Sequence, residues 1–219
     1  GSIAYGKKVF LISKIPGEMN IVGTNDRIEK YLRLTASHDG KSSLVVGFTP
    51  IHTVGRTVFG FSRRGMVDHV AVRHTSSKER RLQEAVRVLK VAENYFETLE
   101  NTFKSLAEVP FTSEMFDAVL NAVLPVAEDA KRVTRTENSR GKVREFFNYS
   151  PIITGTPELK DTALAALYAF AEYADHGKVF SAHKDKSSAG QNRFLSVTEG
   201  TAYNFKNAAF NSIVDMTGK

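Results

Sequence analysis

A chain of 219 residues, 42% hydrophobic and 25% charged, carries enough apolar material for a full-sized core and has an ordinary globular composition. The absence of cysteine excludes disulfides, zinc–cysteine centres and cysteine nucleophiles, and it fits a reducing cytoplasm. The net charge of +6 is unevenly spread, with 13 Lys/Arg against 6 Asp/Glu in residues 1–80 and 17 against 18 in residues 81–219. Such asymmetry points to a polyanionic partner for the N-terminal part, or to a solvated strand face whose long cations guard sheet edges. No run approaches the roughly 20 apolar residues that span a bilayer, so no membrane partner is expected. Gly1-Ser2 reads as a tag scar, and the chain as an excised fragment.

Residues 3–75 predict an antiparallel β meander of four or five strands. Val9, Leu11 and Ser13 alternate with Phe10, Ile12 and Lys14 until Ile15-Pro16-Gly17 closes the first strand. Residues 31–36 and 43–49 flank His38-Asp39-Gly40-Lys41 as the arms of a hairpin, because an Asp-Gly pair tolerates the positive φ of tight turns. Pro50 has no N–H for a ladder and is expected to interrupt or end the pairing. Residues 51–61 continue as a strand weakened by Gly55 and Gly60, and residues 67–74 form another short one.

From Ser76 the hydrophobic period lengthens from 2 to about 3.5. Ser76 and Glu79 read as a capping box. Leu82, Ala85, Leu89, Ala92, Phe96, Leu99, Phe103 and Leu106 then form an apolar stripe that ends before Pro110. A helix of roughly 32 residues would reach about 48 Å. It must pack along a partner, either the following helices or another copy of the chain. Ser113 caps a short helix that runs through Leu124, and a mixed-charge helix over 131–147 follows with Gly141 as a weak point. The next begins at Thr156-Pro157-Glu158 and stops at Gly177. A polar loop over 184–192 and a last helix over 199–216 complete the chain. The fold class is therefore α+β, a sheet over 3–75 with a helical region over 76–217 packed on it as one continuous domain.

Candidate sites are weighed residue by residue. His69 and His74 lie five apart on a strand and face opposite ways, and His52 follows Pro50 with either face open to it. Glu172 and His176 share a helix face, yet His176 also suits the negative end of that helix. No metal-binding spacing, nucleophile elbow or glycine-rich phosphate loop is present, so neither a metal nor a cofactor is expected. The positive case is for nucleic acid. Lys41, Arg56, Arg63, Arg64 and Arg73 would meet phosphates, and Phe59 or Phe61 would stack on bases if exposed. Otherwise the two phenylalanines belong to the core. A second basic cluster of Lys131, Arg132, Arg135, Arg140, Lys142 and Arg144 is diluted by acids and reads as a salt-bridged helix face.

The segment LTASHDGKSSLVVGFTPIHTV resembles a stretch of the phage/plasmid-like proteins grouped as domain of unknown function 932. The likeness continues through Val72-Arg73-His74-Thr75, Tyr95-Phe96, Arg135-Thr136-Glu137-Asn138, Val143-Arg144-Glu145-Phe146-Phe147 and the AEYADH segment ending at His176. It departs at Arg56-Thr57-Val58, where relatives have a polar residue followed by Asn-Thr. The resemblance implies a mobile-element protein of bacterial cytoplasm and supplies no catalytic residues. A strand meander feeding a long helix also looks like the core of Rad52-type single-strand annealing proteins. The expectation is a non-enzymatic nucleic-acid-binding protein, with single-strand binding or annealing as its activity. Two alternatives stand beside it: a structural or host-interaction oligomer assembled through the 82–106 stripe, and an enzyme built around His38, Asp39, His74, Glu172 and His176.

Overall fold

The computed structural model describes residues 2–3, 8–21, 24–37, 44–63, 66–72, 78–126, 130–178 and 188–218. The strands β1 (Ser2–Ile3), β2 (Lys8–Asn20), β3 (Arg27–Ser37), β4 (Leu44–His52) and β5 (His69–Val72) form one antiparallel sheet in chain order. The connections are those of a meander, as short links between alternating strands dictate. The hairpin pairs Tyr31 with Thr49 and Leu34 with Val46, and its turn lies outside the described residues.

Two punctuation marks in the sequence act differently from their usual sense. Ile15-Pro16-Gly17 does not close β2 but forms a bulge between Lys14 and Glu18, with Gly17 at φ 87°. Both halves of β2 keep their pairing to β3 across it. Pro50 likewise does not end β4 and pairs with Lys30. The reason is directional. Phe48 N donates to Asp68 O and His52 N donates to Thr57 O, so N–H groups at this parity point away from β3. Position 50 shares that parity, and its missing donor costs the β3–β4 ladder nothing.

Beyond β4 no strand continues. A turn at 53–55 leads into an extended segment, Thr57 to Phe61, that runs through the interior and joins the sheet only by an isolated bridge from Val58 to Ile51. Phe59 and Phe61 are each 0% exposed. Their rings stack in a row with Tyr168 at 4.8 Å and Phe210 at 4.7 Å, and Phe103 meets both edge-on. Buried in this way, Phe59 and Phe61 belong to the core and have no face free to stack on bases. A buried irregular segment must have its backbone groups met by partners. Here side chains do it: Val58 N donates to Asp175 Oδ2, Lys206 Nζ to Val58 O, Phe61 N to Tyr95 Oη and Ser62 N to Asn207 Oδ1.

The helices are α1 (Lys78–Ala107), α2 (Ser113–Val123), α3 (Ala130–Tyr149), α4 (Pro151–Gly155), α5 (Ala163–Glu172), α6 (Ala189–Glu199) and α7 (Thr201–Thr217). α1 packs on the sheet face that carries Leu32, Val46 and Phe48, with Phe48 against the rings of Tyr95 and Phe96. Its stripe is buried from Ala92 to Leu106 within the chain, while Ala85 and Leu89 are exposed. The proposed capping box at Ser76 lies outside the described residues. Thr112, one residue earlier than expected, caps α2 by accepting from Met115 N. Gly141 sits inside an unbroken α3, and a Cβ there would meet nothing within 4 Å. Arg140 explains part of that helix's hold: it is buried and donates to Leu124 O at 2.8 Å and Asn121 Oδ1 at 2.7 Å, satisfying the end of α2. Arg144 pairs with Asp117 at 2.8 Å, so these two members of the second basic cluster bind α2.

Pro157 begins a 3₁₀ turn over Pro157–Leu159 rather than the helix itself. The helix proper starts after Thr162, which accepts from Ala165 N, and every residue of α5 is buried. It is the central rod of the molecule, so its Ala-rich composition reflects close neighbours on all sides. Its end widens into a π-helical turn, Tyr173–Gly177. Gly177 stops it as expected, but for want of space: a Cβ there would lie 2.5 Å from the Tyr173 ring. The expected loop over 184–192 is in part α6, capped by a box between Ser188 and Gln191. Residues 184–187 lie outside the described residues.

Candidate functional site

Of the predicted nucleic-acid contacts, Lys41, Arg64 and Arg73 lie outside the described residues, as do His38, Asp39 and His74. Arg63 is half-exposed and pairs with Asp215 at 2.8 Å, tying the interior segment to α7. Phe59 and Phe61 are core. Arg56 is exposed and holds the left-handed conformation at φ 53°, in a turn closed by Arg56 N to His52 O and His52 N to Thr57 O. A non-glycine residue in this region is uncommon and marks positions that surroundings must enforce.

Arg56 is brought together with two arginines that sequence reasoning passed over. Arg33, Arg56 and Arg193 line one cleft of about 260 Å³ between α6 and the sheet face opposite α1. Arg33 stands in the middle of that face, in a cross-strand row with Ile12 on β2 and Gly47 on β4. It is 8% exposed, and its guanidinium lies 3.1 Å from where a Cβ on Gly47 would be. Gly47 thus leaves the floor on which Arg33 rests. Its Nη1 donates to the Thr35 hydroxyl, and burial lowers its pKa, with Glu199 and Asp68 raising it through space. Asp68 is itself engaged by His69 Nδ1 and Tyr203 Oη. Arg193 comes from α6, where Nε donates to Asp175 O and Nη2 to His176 Nδ1.

The walls are apolar. Ile12, Ile51, Val58, Phe194 and Val197 line the cleft, and Phe194 stacks on Phe10 at 4.1 Å. Gly190, in the first turn of α6, also lines it, so the positive end of a helix dipole adds to the three guanidiniums. Asp175 lies on the same wall, but its charge is answered by Lys206 at 2.9 Å and by the Val58 N–H. Desolvation lowers the Lys206 pKa while Asp175 raises it. A concave site with apolar walls and a few convergent cations is what a small anionic group needs. A larger cavity of about 400 Å³ opens beside Leu11, Leu34 and Leu89 on the other sheet face, and its apolar walls gather no such set of cations.

His52 Nδ1 accepts from Val54 N and Gly55 N, so its proton sits on Nε2 and is directed to Asp26 Oδ1. Tyr168 Oη donates to Asp26 Oδ2, and all three residues are buried. This triad fixes the start of the 53–56 turn and hence Arg56. His176 neighbours Arg193 and has its pKa lowered, by burial first and by Arg193 and Lys206. Glu172 is 2% exposed with Oε2 unpartnered among the described residues. Burial pushes its pKa up to about 7, against a hydrogen bond with Ser150 and with a smaller rise from Asp175. No group of three or more His, Asp or Glu among the described residues is placed to hold a metal ion. Nor is any described helix long and apolar enough to cross a membrane.

Fold and site together define an α+β chain whose sheet carries a cationic cleft under a late helix. The model of one family, Domain of unknown function (DUF932), matches residues 1–207, and the chain belongs to that family. No curated protein and no solved structure matches it.

Proposed function

We propose that this chain is a non-enzymatic nucleic-acid-binding protein of mobile-element origin, acting in bacterial cytoplasm, and that it binds single strands through the cleft of Arg33, Arg56 and Arg193. One observation carries this reading: three arginines from three separate elements line one small cleft with apolar walls. Guanidiniums pair with phosphate oxygens through paired N–H donors, and apolar or aromatic walls accept sugar and base. Phe194, which lines the cleft, supplies the aromatic face that the buried Phe59 and Phe61 cannot. A cleft of about 260 Å³ has room for one nucleotide unit at a time, which a single strand can present and a stacked, paired duplex cannot, so single strands are the better fit. Strand annealing is the activity such binding would serve.

The test is equilibrium binding to single- and double-stranded oligonucleotides of one sequence across a salt series. Tight, salt-sensitive binding to the single strand with weaker binding to the duplex is expected. No binding to either at low salt removes the reading, because phosphate contacts are strongest there.

A further inference from the structure

Resting on that reading, we propose that the cleft is a receptor for a terminal phosphate monoester, the phosphorylated end of a single strand, in preference to the phosphodiesters within it. Three features of the cleft bear on this. The first is charge. An internal phosphodiester offers one negative charge and two free oxygens, whereas a monoester carries about −1.5 to −2 and presents three acceptor oxygens. Arg33, Arg56 and Arg193 supply three guanidiniums; of the carboxylates nearby, Asp175 is matched by Lys206, while Asp68 and Glu199, which act on Arg33 through space, do not line the cleft. The excess of positive charge suits a dianion better than a monoanion.

The second feature is depth. Arg33 is 8% exposed and lies on the sheet floor over Gly47, beneath α6. A phosphate must descend to reach it. A strand end can do so with one nucleotide, while a mid-chain phosphate would have to carry both flanking nucleotides in with it. The third is volume. About 260 Å³ lies just below the usual range of small-molecule sites and leaves room for roughly one nucleotide unit, not two. Phe194, held against Phe10 at 4.1 Å, offers its ring to that nucleotide's base or sugar.

The experiment compares four single-stranded DNA probes of one sequence: 5′-phosphorylated, 3′-phosphorylated, hydroxyl-ended at both termini, and covalently closed circular. Anisotropy or a filter assay at fixed salt gives each affinity, with a mononucleotide monophosphate as competitor. One phosphorylated end is expected to bind at least about tenfold tighter than the hydroxyl-ended and circular probes, and the mononucleotide to displace it. Arg33→Gln is expected to abolish that preference. Arg56→Gly, which accommodates the turn's positive φ, should weaken it in a chain that stays folded. Equal affinity for circular and phosphorylated linear strands overturns the end-receptor proposal and leaves the nucleic-acid reading standing. Failure of every probe overturns both.

Discussion

At the scale of single residues, Arg56 separates binding from folding. Its φ of 53° is a conformation glycine adopts without penalty, so Arg56→Gly removes the guanidinium while relieving the turn. Urea unfolding should place this variant within about 1 kcal/mol of the parent, while its affinity for single strands falls. A stability loss matching the binding loss would show that Arg56 serves the fold instead. Glu172 offers a second residue-level test, through pH. Burial pushes its carboxyl up to about 7 in the folded chain, from about 4.5 for an exposed carboxyl. Across that window the folded chain keeps a proton that the unfolded chain has released, so stability falls as pH rises from about 4.5 to about 7 and is level above. Glutamine mimics the protonated side chain and does not titrate. Glu172→Gln should therefore gain on the parent between pH 5 and pH 8, by something on the order of 3 kcal/mol. A stability difference that stays constant across this range would contradict the assigned burial.

At the scale of elements, the interior segment from Thr57 to Phe61 is the joint between sheet and helices. Phe59→Ala empties a site walled by Phe61, Phe103 and Tyr168 and should cost about 3–5 kcal/mol in denaturant unfolding. Lys206→Met strands the buried Asp175 charge and removes the donor to Val58 O, for a loss of about 3–5 kcal/mol. A loss under 1 kcal/mol in either variant would mean that the segment is not held as described. This joint was hard to read in the sequence. Val58, Phe59 and Phe61 look like a strand by residue type, and only long-range partners such as Asp175, Lys206 and Asn207 reveal a segment with a single bridge to the sheet, clamped otherwise by side chains. The hairpin and the long stripe were legible, because both rest on local periodicity. α6 could have been found from Ser188 and Gln191, the capping pair that opens it. Pro50 and Gly17 misled for separate reasons. The missing N–H of Pro50 falls on the side away from β3, and the positive φ of Gly17 is absorbed by a bulge that leaves both halves of β2 paired, and residue type alone gives neither.

At the scale of the whole molecule, the two faces of the sheet have different work. One face, with α1, builds the core. The other keeps an arginine at its centre and lets α6 form a roof over it. Arg33 was readable in principle as a lone cation between Leu32 and Leu34 in mid-strand, opposite Gly47. Arg193 was not, because no local pattern announces that the last quarter of the chain returns to the first sheet. The basic excess of residues 1–80 therefore described only part of the site, which draws its third guanidinium from a region with no net basic excess. The central claim is that these three arginines contact phosphate. It is tested most directly by the salt dependence of single-strand binding for the parent and for Arg56→Gly, measured on the same oligonucleotide. Losing one phosphate contact should flatten the slope of log K against log salt by about 0.7, with affinity falling at every salt concentration. An unchanged slope and affinity in the folded variant would contradict the account.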